Sequence, residues 1–357
     1  MSKVYLKFYG CQANLDDGSI LKGILTKNNF TFIDSVKEAD IIIIGTCIVK
    51  SVTSNKILNQ LKEIYKLNKK LIIAGCMPES ETNLCKKLFP RASLINTYNL
   101  TDILDVVDEL LSGKITYHLG KKKELKLGLP KYFKDVVTIQ ISSGCNSNCS
   151  FCETKLAKGY IQSYPEELII KEIKNYIKKG IKKFNISSTN NSDYGIDIKT
   201  NLPSLIKKII SIDEDFKIRI GMMNPKNLLN YLDELVEIYK DKKIIKFIHI
   251  PIQSGSDKVL KDMNRGYKIK DFIKIVDKFK KEIPGINIST DIIVGYPTEN
   301  QEDFNETIDL IKKIKPEVLN ISKFGARPGT VAAKLKSLKS EIVKERSVLL
   351  TKEYKNL

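Results

Sequence analysis

The sequence predicts an α/β protein in two parts: a doubly wound parallel α/β domain over residues 1–115, then a partial or complete (β/α) barrel from residue 135. Three observations carry this. Short apolar runs alternate with amphipathic stretches in both parts, the pattern of a parallel sheet with helices on its faces. A basic, turn-rich stretch over 116–134 interrupts that alternation. Each of the three main N-terminal strands ends at a glycine or polar turn and then at once at a cysteine: Gly10-Cys11, Thr46-Cys47 and Gly75-Cys76.

In chain order, strands are expected at Lys3–Tyr9, Asp40–Ile44 and Lys70–Ala74, with a weaker one at Ser93–Ile95. Helical patterns lie between them, as in Ser19–Lys27 and Ser54–Leu67. Lys121-Lys122-Lys123, Lys126, Gly128, Pro130, Lys131 and Lys134 read as an interdomain linker. Six further strands are expected at Val136–Ser142, Lys183–Ser187, Lys217–Gly221, Lys246–Pro251, Asn287–Val294 and Val318–Lys323. Amphipathic helices such as Glu166–Lys178 and Asn227–Tyr239 separate them, and barrels of this kind keep their chemistry at the C-terminal strand ends.

The 357 residues suffice for two domains with real cores, and 42% hydrophobic with 29% charged residues is ordinary globular composition. Disorder and a disulfide-stapled miniprotein are excluded. Apolar runs such as Ile41–Ile44 stop far short of the ~20 residues a membrane span needs. Met1-Ser2-Lys3-Val4 runs straight into a strand with no signal-peptide layout, so a reducing cytoplasm is expected for the seven cysteines. A net charge of +18 suggests a polyanionic partner, nucleic acid first, with coding bias toward lysine as the rival reading.

The strongest local signal is Cys145-Asn146-Ser147-Asn148-Cys149-Ser150-Phe151-Cys152, directly after the first barrel strand. Three thiolates on one tight loop suit a [4Fe–4S] cube with one iron left open, because such a cube takes four ligands and no fourth cysteine is near. A zinc or purely structural loop is the alternative, but closed zinc sites also want four ligands and His118 lies 27 residues upstream. Cys11, Cys47 and Cys76 are 36 and 29 residues apart. If their strands are parallel neighbours, all three thiols emerge on one sheet edge, where doubly wound domains bind ligands. We read them as a second triad with its own open iron, against inert packing cysteines. Cys85, inside Glu81–Leu88, reads as a small apolar core residue. At barrel strand ends, Asp291 followed by Gly295 suggests a ligand surface, with Asn224 a weaker candidate. His249 reads equally as a satisfied barrel histidine and receives no catalytic role.

Two such triads on one chain resemble the radical S-adenosylmethionine (SAM) methylthiotransferase family. Tyr9-Gly10-Cys11-Gln12-Ala13-Asn14, Gly45-Thr46-Cys47-Ile48-Val49 and Ala74-Gly75-Cys76-Met77-Pro78 are similar to its N-terminal motifs. Arg219 to Pro225, His249 to Ser256, Thr290 to Pro297 and Asn320 to Thr330 are similar to its later strand ends. Cys152-Glu153-Thr154-Lys155-Leu156-Ala157-Lys158-Gly159 resembles the archaeal and eukaryotic-type branch.

The resemblance implies an N-terminal cluster domain, a partial (β/α)6 TIM-like radical-SAM barrel over 135–350, two [4Fe–4S] clusters and SAM. Cys11, Cys47, Cys76, Cys145, Cys149 and Cys152 would be the iron ligands, with Phe151, Ser188, Asn224, Asp291 and Gly295 on the cosubstrate surface. The implied activity is methylthiolation of N6-threonylcarbamoyladenosine at position 37 in a tRNA anticodon loop, with an electron donor and a sulfur source as further partners and no membrane. Alternatives are isopentenyladenosine-37, a ribosomal protein, or an inactive iron–sulfur RNA-binding protein. In the family's terms a C-terminal RNA-binding TRAM domain would follow the last helix. The chain stops at Leu357, so 351–357 are expected as a truncated tail, with a separate TRAM-like protein as a further partner. Two departures stand near the cosubstrate: Thr189-Asn190 where Gln-Asp is usual, and Gln162 where an arginine is common. Phosphate contacts are expected from Lys121–Lys123, Lys131, Lys134 and the tail, which carries 12 basic and 4 acidic residues from Lys312 to Leu357.

Overall fold

The computed structural model describes residues 2–122 and 124–357, so Lys123 of the basic run lies outside the described residues. The chain divides into two compact units. One takes the residues up to Lys134 together with Glu153–Tyr160; the other takes Asp135–Cys152 and Ile161–Leu357.

Among the described residues the N-terminal unit is built on β1 (Lys3–Phe8), β2 (Thr31–Phe32), β3 (Ile41–Thr46), β4 (Lys70–Gly75), β5 (Ala92–Asn96) and β6 (Tyr117–His118). They form one sheet in the order β2-β1-β3-β4-β5-β6, with every pair parallel. The run Ile41–Ile44 explains why a continuous apolar stretch is a strand here. Ile42 and Ile44 face one core with Leu71 and Ile73, while Ile41 and Ile43 face the other with Ile20, Ile24 and Ile72. Both faces of a parallel sheet are covered, so period-2 alternation between apolar and polar disappears.

Residues 116–134 carry β6 and then pack on the helix Gln12–Lys27. Lys126 donates to Asp17 at 2.5 Å and Lys131 to Asp16 at 3.1 Å, all four side chains being buried. The Tyr132 N–H donates to the Ser19 carbonyl at 2.9 Å. Asp16 and Asp17 could not stay buried as charges without counter-charge, since an unpaired buried ion costs several kcal/mol. The lysines of this stretch are therefore partly structural, and Lys131, expected on phosphate, is enclosed.

The second unit carries β7 (Val137–Gln140), β8 (Ser142–Ser143), β9 (Gln162–Ser163), β10 (Lys183–Ser187), β11 (Lys217–Ile220), β12 (Phe247–His249), β13 (Asn287–Val294) and β14 (Val318–Lys323). β11-β10-β7 and β12-β13-β14 are parallel half-sheets, and a parallel bridge between Ile218 and Ile244 joins them. This is the six-stranded partial barrel, with helices between successive strands. The small β8–β9 pair is antiparallel and sets Gln162 opposite Ser143. The helix expected over 227–239 is instead broken into Pro225–Leu228, a 3-10 turn Leu229–Tyr231 and Leu232–Tyr239. Tyr231 leaves helical geometry at the break, and its hydroxyl reaches the Ser192 carbonyl at 2.9 Å.

The last helix, Ser340–Lys355, packs against β14. Its Arg346 is buried and donates to the Glu299 carboxylate at 2.5 Å and carbonyl at 3.0 Å. Among the described residues no helix is long and apolar enough to cross a membrane.

Candidate active site: two cysteine triads

The first triad sits where β1, β3 and β4 end. These strands are adjacent and parallel, so Cys11, Cys47 and Cys76 leave one edge of the sheet although they are far apart in sequence. Cys11 is exposed at the start of the helix Gln12–Lys27, whereas Cys47 and Cys76 are 2% exposed. Local interactions hold this edge tightly. The Cys76 N–H donates to the Thr46 carbonyl at 3.2 Å, and the Thr46 hydroxyl donates to the Ala74 carbonyl at 2.6 Å. The Val49 N–H points at Cys47 Sγ at 3.5 Å, and Ser54 donates to the Cys47 carbonyl at 2.8 Å. Gly10 has φ +108°, and a Cβ there would lie 2.5 Å from Cys47 Sγ, so only glycine lets β1 pass this close to the thiol.

The second triad occupies the loop after β8. The Ser147 N–H donates to Cys145 Sγ at 3.4 Å, and the Cys152 N–H donates to the Cys149 carbonyl at 3.1 Å. Ser150 pins the loop: its hydroxyl donates to the Asp262 carbonyl at 2.9 Å, and its carbonyl accepts from the Ala332 N–H at 2.8 Å. Arg265, itself buried, donates from Nη1 to Cys149 Sγ at 3.1 Å. Nη2 and Nε of the same guanidinium are anchored on the Pro251 carbonyl at 2.9 Å and the Tyr267 hydroxyl at 3.0 Å. The Asp193 carboxylate accepts from the Asn146 N–H at 3.2 Å and stands 3.5 Å from Cys145 Sγ.

The donor sets fit [4Fe–4S] clusters. All seven cysteines are free of disulfides. Burial pushes the Cys76 thiol up to about 12, and burial together with Asp193 does the same for Cys145. Cys47 is raised by burial and by Cys11. Thiols in this state ionise only in exchange for a cation, which coordinated iron supplies by displacing the proton. Among the described residues no group of three or more His, Cys, Asp or Glu is gathered to hold one metal ion. A cube requires no such convergence, because each thiolate addresses a different iron. Cys85 is fully buried in the apolar core, away from either role.

The other expected site residues fall as follows. Asn224 is buried beside the cluster loop: Nδ2 reaches Ser147 Oγ at 3.5 Å and Oδ1 caps the helix Pro225–Leu228. The buried Ser188 and Thr189 hydroxyl oxygens after β10 have no partner among the described residues. Asn190 is a buried cap that donates to Asp193 at 2.6 Å and accepts from the Asn224 N–H at 2.9 Å. Asp291 lies on β13, 2.6 Å from His249 Nε2. Phe151 packs against Val259, Met263, Tyr296 and Ala332. Gly295, with φ +77°, has its Cβ position blocked by Val343 of the last helix at 2.6 Å, and its N–H donates to Glu299 at 2.9 Å. The close approach at Gly295 is thus to a helix of its own unit.

Sequence reasoning missed Asp193, Arg265 and Lys158. Asp193 was open to detection, since Asn190-Asn191-Ser192-Asp193 is a polar cluster just past a barrel strand. Arg265 sits in a turn, Asn264-Arg265-Gly266-Tyr267, with no spacing that ties it to Cys149. Lys158 lies in the segment after Cys152 and folds into the N-terminal unit, 4% exposed.

The Radical SAM superfamily model matches residues 139–311, and the model described as Uncharacterized protein family UPF0004 matches residues 3–96. Among solved structures, the radical S-adenosylmethionine methyltransferase TsrM from Kitasatospora setae is similar, with TM-score 0.66 at 12% identity over 93% of this chain and 77% of that one. The cobalamin-dependent radical enzyme OxsB is similar with TM-score 0.58 at 14% identity, over 100% of this chain and 56% of that one. At such identities the likeness is one of fold. Barrel and cysteine loop together define a radical-SAM enzyme, which uses SAM and [4Fe–4S] chemistry. The chain is 39% identical over 355 residues to the probable threonylcarbamoyladenosine tRNA methylthiotransferase of Pyrococcus horikoshii, covering 98% of this chain and 83% of the relative. The corresponding protein of Methanothermobacter thermautotrophicus is 37% identical over 97% of this chain and 82% of its own length. The Homo sapiens threonylcarbamoyladenosine tRNA methylthiotransferase is 34% identical over 99% of this chain and 62% of its own length. The chain belongs to the threonylcarbamoyladenosine tRNA methylthiotransferase family.

Proposed function

We propose that the chain installs a methylthio group at C2 of N6-threonylcarbamoyladenosine at position 37 of tRNA. Cys145, Cys149 and Cys152 hold the cluster that engages SAM, and Cys11, Cys47 and Cys76 hold a second cluster that receives sulfur. The observation that carries this reading is the presence of two separate three-cysteine groups, one where the parallel strands β1, β3 and β4 end and the other on the loop after β7 and β8, each in its own unit. A three-thiol site leaves one iron open, and the proposed chemistry needs an open iron twice.

When bound and reduced, the barrel cluster and SAM supply the radical that removes hydrogen from the target carbon. The protein's part is placement. Arg265 and the Ser147 N–H direct positive charge and a donor at the cysteine sulfurs, favouring the anionic form of the loop. The Ser188 and Thr189 hydroxyls supply unused hydrogen-bonding capacity past β10, and Asn224 stands ready beside the cluster loop. His249 holds the Asp291 carboxylate in one orientation on the barrel's inner strand. Position 37 lies in an anticodon loop, where exposing a base costs less than flipping one from a duplex, typically a few kcal/mol.

Backbone phosphates would be met by exposed lysines. Lys121, Lys134, Lys334, Lys336, Lys339 and Lys344 are exposed, whereas Lys131 and Arg346 are enclosed by Asp16 and Glu299. An electron donor and a sulfur source complete the set of partners. The test is anaerobic incubation of the reconstituted protein with SAM, reductant, sulfide and tRNA bearing N6-threonylcarbamoyladenosine, followed by nucleoside mass spectrometry. The 2-methylthio derivative should accumulate. Deoxyadenosine formation with isopentenyladenosine tRNA alone would replace this substrate assignment.

A further inference from the structure

The ladder between β1 and β3 ends at Phe8 opposite Gly45, and its last link is the Tyr9 N–H on the Gly45 carbonyl at 3.2 Å. The ladder between β3 and β4 ends at Thr46 opposite Gly75. Cys11, Cys47 and Cys76 all lie just beyond those last pairs, where strand pairing no longer fixes one segment against the next. Asn14 continues the linkage there. It sits wholly buried in the first turn of the helix Gln12–Lys27. Its Nδ2 donates to the Thr46 carbonyl at 3.2 Å and also to the Tyr9 carbonyl. The same Thr46 carbonyl accepts the Cys76 N–H at 3.2 Å. Asn14 Oδ1 lies 3.0 Å from where a Cβ on Gly75 would stand, and it is buried with no partner among the described residues.

Two carbonyls converging on one amide atom identify that atom as the nitrogen, since an oxygen there would face two acceptors. One side chain thus does the work of a further rung of the sheet. Tyr9, Thr46 and Gly75, the three residues it meets, stand one or two positions before Cys11, Cys47 and Cys76. The segments are crowded enough for this to matter. A Cβ on Gly10 would lie 2.5 Å from Cys47 Sγ, and one on Gly75 would lie 2.5 Å from the Thr46 carbonyl oxygen. Cys11 is exposed, so burial does little to hold it, and the tie through Asn14 is what joins its loop to the Cys47 loop. Groups that orient the ligands of a metal site count for nearly as much as the ligands themselves.

We propose that Asn14 is a positioning residue of the N-terminal triad: its side-chain amide extends the sheet by one rung past the strand ends and so sets the spacing at which Cys11, Cys47 and Cys76 meet one cluster. This rests on the two-cluster reading given above. Asn14 acts through Tyr9 and Thr46, not by contact with iron or substrate. Aspartate has the same shape but could not serve, because its ionised oxygens only accept and would face the Tyr9 and Thr46 carbonyls. Ser54 offers a contrast: it donates to the Cys47 carbonyl at 2.8 Å and steadies that one loop, whereas Asn14 spans two.

The test uses the full-length protein, reconstituted anaerobically, and follows iron release to a ferrous chelator. Replacing Cys11, Cys47 and Cys76 by alanine identifies the phase of release that belongs to the N-terminal triad. The variants are Asn14→Ala, which removes the rung, and Asn14→Asp, which keeps its shape and removes its donors. Each should release iron from the N-terminal phase roughly ten- to a hundredfold faster than wild type and leave the other phase unchanged. The electron paramagnetic resonance signal of the reduced N-terminal cluster, recorded alone with Cys145, Cys149 and Cys152 replaced by alanine, should shift as well. General loosening of the unit would speed release without moving that signal. Wild-type release in either folded variant, or an unshifted signal, would overturn the proposal. So would failure of both variants to fold before iron is offered, which would make Asn14 a packing residue; if one alone fails, the other decides. Failure of the two-cluster reading shows separately, as wild-type protein that holds only about four irons per chain.

Discussion

The two cysteine triads are assembled by opposite routes. In the N-terminal unit three strand ends each contribute one cysteine, and the site exists only because β1, β3 and β4 are neighbours. In the barrel unit eight consecutive residues carry all three cysteines, and the surrounding fold merely pins the loop through Ser150, Asn224 and Arg265. At the strand-end site two of three cysteines are 2% exposed and Cys11 is open to solvent, while all three loop cysteines are half-buried. The loop site also carries a buried arginine tied at three points. A loop with a fixed charge suits a cluster whose potential must be set.

The largest effects should separate the two sites completely. Cys149→Ala should abolish 5′-deoxyadenosine formation from SAM, and Cys76→Ala should leave it while abolishing the methylthio product. Chromatographic measurement of deoxyadenosine and nucleoside mass spectrometry read these two outcomes. Cleavage surviving in Cys149→Ala would show that the loop is not the SAM-cleaving site. A smaller effect is expected at Arg265. Removing a cation 3.1 Å from a cysteine sulfur lowers the cluster potential, so Arg265→Gln should shift it down and slow cleavage. Redox titration followed by electron paramagnetic resonance should find a shift on the order of tens of millivolts. Tyr267→Phe, which loses only the hydroxyl that holds Arg265 Nε, should give a smaller shift in the same direction.

The comparison also explains what the amino-acid sequence disclosed and what it hid. Contiguous spacing announced Cys145, Cys149 and Cys152 directly. That Cys11, Cys47 and Cys76 leave one sheet edge was legible because their shared position after apolar runs, combined with a parallel sheet, implies it. β13 and β14 match their expected bounds, the first as a largely buried run and the second as a half-buried one. The break at Tyr231 was hidden, since it depends on a hydrogen bond to Ser192 in another element. The folding of residues 116–134 onto the N-terminal unit was hidden for a related reason: a lysine-rich turn looks solvated until Asp16 and Asp17 are known to be buried beneath it. Arg265 was invisible on the same grounds. Its significance lies in what it faces, and no local pattern distinguishes an arginine at a thiol from one in water.

The measurement that bears most directly on the central claim is iron content after anaerobic reconstitution of two triple variants. One replaces Cys11, Cys47 and Cys76 by alanine, and the other replaces Cys145, Cys149 and Cys152. Wild-type protein should hold roughly eight irons per chain and each variant roughly four, with Mössbauer spectra showing one [4Fe–4S] cluster lost in each case. A wild-type content of four, with one triple variant unchanged from wild type, would contradict the account.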